Sequence, residues 1–171
     1  MAQAVECAKQ AELIDEVPVG AIIVKDDKII GSGYNQVISN HDASAHAEVQ
    51  AIRNTGKNMK NYRLVDTVLY VTLEPCMMCV GAIVHARIGQ IVFGAFDKKT
   101  GMAGTCENCF DKPYHNHQVE IVGGVLEQDC SQLLQQFFKY RRADKKARSL
   151  SENRKPTAKK LDLDIFSPDS R

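Results

Sequence analysis

The sequence predicts a layered α/β domain, and three observations carry that prediction. Short runs rich in β-branched residues recur along the chain, and segments with helical apolar spacing fall between them. The composition is that of one ordinary globular domain. At 171 residues, with 44% hydrophobic and 25% charged residues, the chain is long enough to bury a single sizeable core.

Ala4, Ala8, Ala11 and Leu13, with Glu6, Lys9 and Glu12 between them, predict an amphipathic helix ending near Asp15, and Pro18 stops it. Residues 21–24 and 28–30 flank Lys25-Asp26-Asp27, the pattern of a β-hairpin with a short polar turn. The second strand runs on to about Asn35. A polar loop over 36–45 leads to a helix from about His46 to Arg53. Residues 67–72 read as a strand, 75 to about 86 as a helix, and 90–93 as a further strand. Residues 94–118 show no regular pattern, and irregular segments of that length in compact domains are usually functional loops. A fifth strand over 119–122 is cut short by Gly123-Gly124. The last helix starts near Glu127 and passes Tyr140, with Leu133, Leu134, Phe137 and Phe138 on its core stripe. The predicted organisation is one domain over 1–147 ending in a basic helix, then a polar, flexible tail over 148–171.

Charge is unevenly distributed. Residues 139–160 carry ten Lys/Arg against Asp144 and Glu152, a net +8, while the remainder, with 12 basic and 19 acidic residues, is −7. A basic end on an acidic body fits a polyanionic partner, and equally a solubilising tail. No apolar run approaches the roughly 18 residues of a membrane span. The first residues lack the basic start and apolar stretch of a signal peptide. The expectation is therefore a cytoplasmic protein with no membrane partner, its six cysteines reduced unless they hold metal.

The chemistry is concentrated in His46-Ala47-Glu48, followed 27 residues later by Pro75-Cys76-Met77-Met78-Cys79. One imidazole and two thiolates supply three zinc ligands. A structural zinc is closed by four protein ligands, whereas a catalytic zinc keeps a fourth position open for water. Glu48 lies near the ligand His46 without coinciding with it, which suits a proton carrier. Pro75 fits a first helical position, which would place Cys76 and Cys79 one turn apart on one face, at the positive end of the helix dipole. His46 opens another helix, so two helix starts can converge on one ion. The pattern H-x-E…P-C-x-x-C is the established signature of zinc-dependent nucleobase deaminases. In that chemistry Glu48 takes the water proton, passes it to a ring nitrogen and assists loss of ammonia.

A second pair, Cys106-Glu107-Asn108-Cys109, competes for attention. Joined to the first it forms C-x2-C-x26-C-x2-C, the outline of a four-cysteine structural zinc site. It could also combine with His115 and His117 in a separate site, or its thiols could be idle. Against the joined site, Cys79 runs into Val80-Gly81-Ala82-Ile83-Val84, an apolar helix, and His46 and Glu48 would be left without purpose. Cys7 and Cys130 fall on predicted core stripes as small hydrophobes.

Several blocks carry a family resemblance: Val17-Pro18-Val19-Gly20-Ala21, Gly33-Tyr34-Asn35, Ala45-His46-Ala47-Glu48, Asn61-Tyr62-Arg63-Leu64, and the run from Val71 to Cys79. Phe93-Gly94-Ala95, Lys99-Thr100-Gly101, Ala103-Gly104, Asn116-His117-Gln118-Val119-Glu120 and Phe137-Phe138 with Arg141-Arg142 complete the set. Across roughly residues 1–145 the chain resembles the bacterial tRNA-specific adenosine deaminases of the cytidine-deaminase-like superfamily, which convert the wobble adenosine of an anticodon to inosine. The resemblance implies a three-layer fold, with a mixed five-stranded sheet between helices, and a homodimer with sites near the interface. It also implies one Zn2+ per chain on His46, Cys76 and Cys79, with Glu48 as proton shuttle. Asn35 matches the family's asparagine that hydrogen-bonds the flipped base, though a residue at a strand end can equally serve the turn. The partner implied is a tRNA anticodon stem-loop, whose backbone Arg141, Arg142, Lys145 and Lys146 are expected to follow. The Cys106–Cys109 insert departs from the apolar segment common in relatives, which weakens any carry-over of loop contacts there.

Overall fold

The computed structural model describes residues 1–152. Nine elements follow in order: α1 (Ala2–Leu13), β1 (Gly20–Lys25), β2 (Lys28–Tyr34), α2 (Ala47–Met59), β3 (Val68–Leu73), α3 (Met77–His85), β4 (Gln90–Ala95), β5 (Glu120–Val122) and α4 (Glu127–Glu152). The strands form one mixed sheet in the order β2-β1-β3-β4-β5. β1 runs antiparallel to both β2 and β3, while β3–β4 and β4–β5 pair in parallel. Asp26 and Asp27, both at positive φ, make the tight β1–β2 turn, a backbone twist that matches two-residue hairpins.

Two glycines show how the helices sandwich the sheet. A Cβ on Gly20 would lie 2.2 Å from the Ala4 carbonyl oxygen, so β1 presses directly on α1. A Cβ on Gly33 would lie 2.4 Å from the Ala51 nitrogen, so β2 presses equally closely on α2. Gly33 pairs with Ala21, the neighbour of Gly20, and adjacent strand residues point to opposite faces. α1 and α2 therefore cover opposite faces. α3 packs with α2, and a cleft lined by both α1 and α4 places the start of α4 beside α1. The result is the three-layer arrangement, with the main core of Ala21, Ile23, Leu69, Val71, Ile83, Ile91 and Phe93 inside it.

Met1–Lys139 forms one compact unit that contains the whole sheet, and Tyr140–Arg171 forms a second. Within the second, the described residues are helical to Glu152, so residues 148–152 of the predicted tail belong to the helix, and residues 153–171 lie outside the described part. The predicted tail thus begins inside α4. Two stripe assignments change: Leu13 is 77% exposed and Phe138 44% exposed, whereas Ala4, Ala8, Ala11 and Phe137 are buried as expected. Leu13 ends its helix and Phe138 sits beside Phe137 on the next angular position, so neither reaches the sheet. Among the described residues no helix is long and apolar enough to cross a membrane.

Candidate metal centre

One edge of the sheet collects the ends of β2, β3 and β4 and the start of β1, a place where open α/β sheets bind ligands. Asn35 follows β2 there. Its Oδ1 accepts the Ala47 N–H at 2.9 Å, which satisfies one of the orphan amides opening α2. Only the oxygen can accept, so the side-chain NH2 must point the other way. His46 is the N-cap of α2 in an extended conformation, φ −71 and ψ 154, and Glu48 lies in its first turn.

α3 starts later than the sequence predicts. Cys76, at φ −81 and ψ 172, is its extended N-cap, and Met77 is its first helical residue, so Pro75 lies outside the helix. The reason is the turn needed to bring Cys76 toward His46. Cys79, three residues on, still shares the helix start with it, and so the convergence of two helix N-termini survives the correction.

His46 Nδ1 lies 3.7 Å from Cys76 Sγ and 3.6 Å from Cys79 Sγ, and the two sulfurs are 3.7 Å apart. Tetrahedral zinc, with Zn–S of about 2.3 Å and Zn–N of about 2.0–2.1 Å, spaces two sulfurs about 3.8 Å apart and sulfur from nitrogen about 3.5 Å. The triangle matches one face of that tetrahedron. Among the described residues this is the trio of His, Cys, Asp and Glu groups close enough to share an ion. As free groups the two thiols are coupled: the hydrogen bond between them brings the Cys76 pKa down to about 4, against the opposing effect of burial. The same hydrogen bond, with burial, pushes the Cys79 thiol far up. The hydrogen bond with Cys76 raises His46. A soft, partly ionised pair beside one imidazole is the donor chemistry zinc takes.

The triangle opens on a cavity of about 330 Å³, lined by Glu16, Val17, Val19, Asn35, Val37, Ile38, Glu48, Leu73, Glu74, Asp97 and Thr100. That volume is enough for a nucleoside. Glu48 is buried against it, and burial pushes its carboxyl above the usual carboxylate range. A cleft of about 410 Å³ between α1 and α4 is larger, yet its lining has neither a histidine nor a cysteine.

Of the cavity residues that the sequence reading does not single out, two buried carboxylates hold the loops around the site. Glu74, 3% exposed, accepts Ala103 N–H at 2.9 Å and Thr105 N–H at 3.0 Å on Oε1, and Asp97 N–H at 3.0 Å plus the Thr105 hydroxyl on Oε2. It thereby fixes the 97–105 loop against the metal-ligand segment. Glu16 does the same for the loop after β2, accepting Ile38 N–H at 2.7 Å and Ser39 N–H at 2.8 Å. The available signal was a carboxylate embedded in apolar motif blocks, Leu73-Glu74-Pro75 and Glu16-Val17-Pro18.

Among the described residues the second cysteine pair joins no group that could hold a metal ion. Cys106 is exposed with its sulfur 3.8 Å from the Asp97 carbonyl oxygen, and Cys109 is buried with its sulfur 3.7 Å from Met102 Sδ. His115 and His117 spend their Nε2 atoms on the carbonyls of Cys109 and Ile88, at 2.9 and 2.7 Å. Arg141, Arg142, Lys145 and Lys146 all lie on the exposed last part of α4.

Fold and site together are those of a zinc-dependent deaminase, and comparison with known proteins narrows the class. Residues 1–95 match the family model for the cytidine and deoxycytidylate deaminase zinc-binding region. The chain is 52% identical over 147 residues to the tRNA-specific adenosine deaminase of Haemophilus influenzae, covering 85% of each chain. To the protein of that name from Bacillus subtilis it is 44% identical over 154 residues, 89% of this chain and 96% of the relative. A structure from studies of A-to-I editing by tRNA:A34 deaminases at the wobble position superposes with a TM-score of 0.76 at 36% identity, covering 78% of this chain and 97% of the other. The chain belongs to the tRNA-specific adenosine deaminases of the cytidine-deaminase-like superfamily.

Proposed function

We propose that this protein hydrolyses the wobble adenosine of a tRNA anticodon to inosine, with release of ammonia. The observation that carries the reading is the His46–Cys76–Cys79 triangle opening, beside buried Glu48, on a nucleoside-sized cavity. His46, Cys76 and Cys79 would hold the ion, one per chain. Zinc in such a site acidifies water enough for hydroxide to be available near neutral pH. Every other step falls to the protein. Glu48, held by burial in a state that keeps its proton readily, accepts the water proton and delivers it to N1 of the purine as oxygen adds at C6. It then carries a proton to the departing amino group, so the C6–N bond breaks, C6=O forms and ammonia leaves. Net, water replaces NH3.

Asn35 presents its NH2 group as a donor to the base, in an orientation fixed by the Ala47 amide. Val17, Val19, Val37, Ile38 and Leu73 give the ring an apolar seat that keeps bulk water out. The reactive base reaches this seat by being flipped from an anticodon loop, where unstacking costs only a few kcal/mol. Arg141, Arg142, Lys145 and Lys146 contact the RNA backbone. The working form is a cytoplasmic homodimer; Met77 and Met78, exposed on the first turn of α3, are apolar surface that a second copy would cover.

The test is incubation with total tRNA, a synthetic anticodon stem-loop, and free adenosine, cytidine and guanine, reading inosine, uridine and xanthine. Inosine from the RNA substrates alone is expected. Conversion of free nucleosides or bases at comparable rates would contradict the reading.

A further inference from the structure

Glu16 and Glu74 face the same cavity and both are almost wholly buried, yet their hydrogen bonds are distributed differently. Glu74 divides its four donors evenly between its two oxygens. Glu16, 2% exposed, takes Ile38 N–H, Ser39 N–H and the Ser39 hydroxyl all on Oε1, at 2.7, 2.8 and 3.1 Å. No donor among the described residues reaches its Oε2. Among the described residues no fully enclosed side-chain nitrogen or oxygen lacks a partner, so Oε2 must keep contact with solvent. The cavity is the space Glu16 lines. The carboxylate is thus anchored by one oxygen and offers the other to whatever enters.

The character of the cavity limits what that ligand can be. No Lys or Arg lines it, while Glu16, Glu48, Glu74 and Asp97 do, so a phosphate away from the metal ligands finds no basic side chain there and meets negative charge. Asp97 has both oxygens engaged, Oδ1 by the Lys99 and Thr100 amides and Oδ2 by the Thr100 hydroxyl. Glu74 is saturated. An unpaired carboxylate oxygen in a mostly apolar cavity calls for a hydrogen-bond donor, since leaving it dry and unmatched is costly.

We infer that Glu16 is a substrate-recognition residue, its Oε2 accepting a hydrogen bond from a neutral donor of the bound nucleotide. Two sources share that chemistry: the ribose 2′-hydroxyl of the reactive nucleotide, and an exocyclic amino group of a base. The inference rests on the proposed function, because it takes an RNA nucleotide as the occupant.

Glu16→Gln separates recognition from scaffolding. Its amide oxygen can remain on the Ile38 and Ser39 donors, while NH2 replaces the free oxygen, so an acceptor becomes a donor at the cavity face alone. Against the anticodon stem-loop the variant should raise KM roughly 10- to 100-fold, the scale of losing a hydrogen bond to a charged group, with kcat changed only a few fold. Zinc content and Tm should match wild type. The same measurement on a stem-loop with 2′-deoxyribose at the reactive position identifies the donor. If the penalty disappears, the ribose hydroxyl is the partner; if it persists, a base amino group is. Either supports the role. A wild-type KM in Glu16→Gln overturns it, as does a KM rise accompanied by lost zinc or a lowered Tm, which would mark a purely structural carboxylate. If wild-type protein itself fails to convert the stem-loop, the functional reading falls and this inference with it. If wild type converts it and Glu16→Gln behaves identically, only the inference falls.

Discussion

Cys76-Met77-Met78-Cys79 and Cys106-Glu107-Asn108-Cys109 have the same spacing and opposite fates. The first pair straddles the start of α3, with sulfurs 3.7 Å apart and a histidine from the start of α2 completing the triangle. The second pair lies in the irregular segment before β5, one sulfur exposed and the other turned toward Met102. Both histidines close to it in sequence are committed to backbone carbonyls. The difference teaches that C-x-x-C is a permissive condition. A metal centre also needs a helix start to gather the thiols, and a third ligand brought in by a separate element whose own position is fixed, as Asn35 fixes the opening of α2 beside His46.

The comparison can be broken most severely at Cys76. Cys76→Ser removes one corner of the triangle and should lose both the metal and essentially all deamination, read by metal analysis and inosine formation. Retention of one zinc per chain would mean that the ion sits elsewhere. A smaller effect is expected at the basic end of α4. Replacing Arg141, Arg142, Lys145 and Lys146 by alanine should weaken tRNA binding and flatten its salt dependence by a slope of roughly 0.7 per lost contact to single strands, with zinc content unchanged. An unchanged slope in titrations at several salt concentrations would assign the segment to solubility alone. The smallest effect belongs to the second pair. Cys106→Ser with Cys109→Ser should leave zinc content intact and activity within a few fold. Two zinc ions in wild type, or one fewer in the double variant, would make the two pairs alike after all.

The cluster of His46, Cys76 and Cys79, with Glu48 beside it, was legible in the sequence because it depends on residue type and short spacing, which motifs preserve. Strand and helix order was legible for a related reason, since each element has its own period. Boundaries were less so. Pro75 reads as a helix start, yet Cys76 stays extended because it must reach His46, 30 residues away. The roles of Glu16 and Glu74 were not legible, although each stands in or beside a motif block. Their donors come from 22 to 31 residues along the chain, and nothing local distinguishes a carboxylate that will fasten a distant loop from one that will face solvent. Phe138 shows the converse limit: an apolar residue at helical spacing need not find a core to enter.

The central claim divides metal binding from proton transfer within one cavity, and Glu48→Gln tests that division directly. The amide fills the same buried space but cannot shuttle protons, so zinc should remain at about one per chain while inosine formation on an anticodon stem-loop falls by at least 100-fold. Loss of zinc from this variant, or activity close to wild type, would contradict the assignment of Glu48 as the proton carrier beside a three-ligand ion.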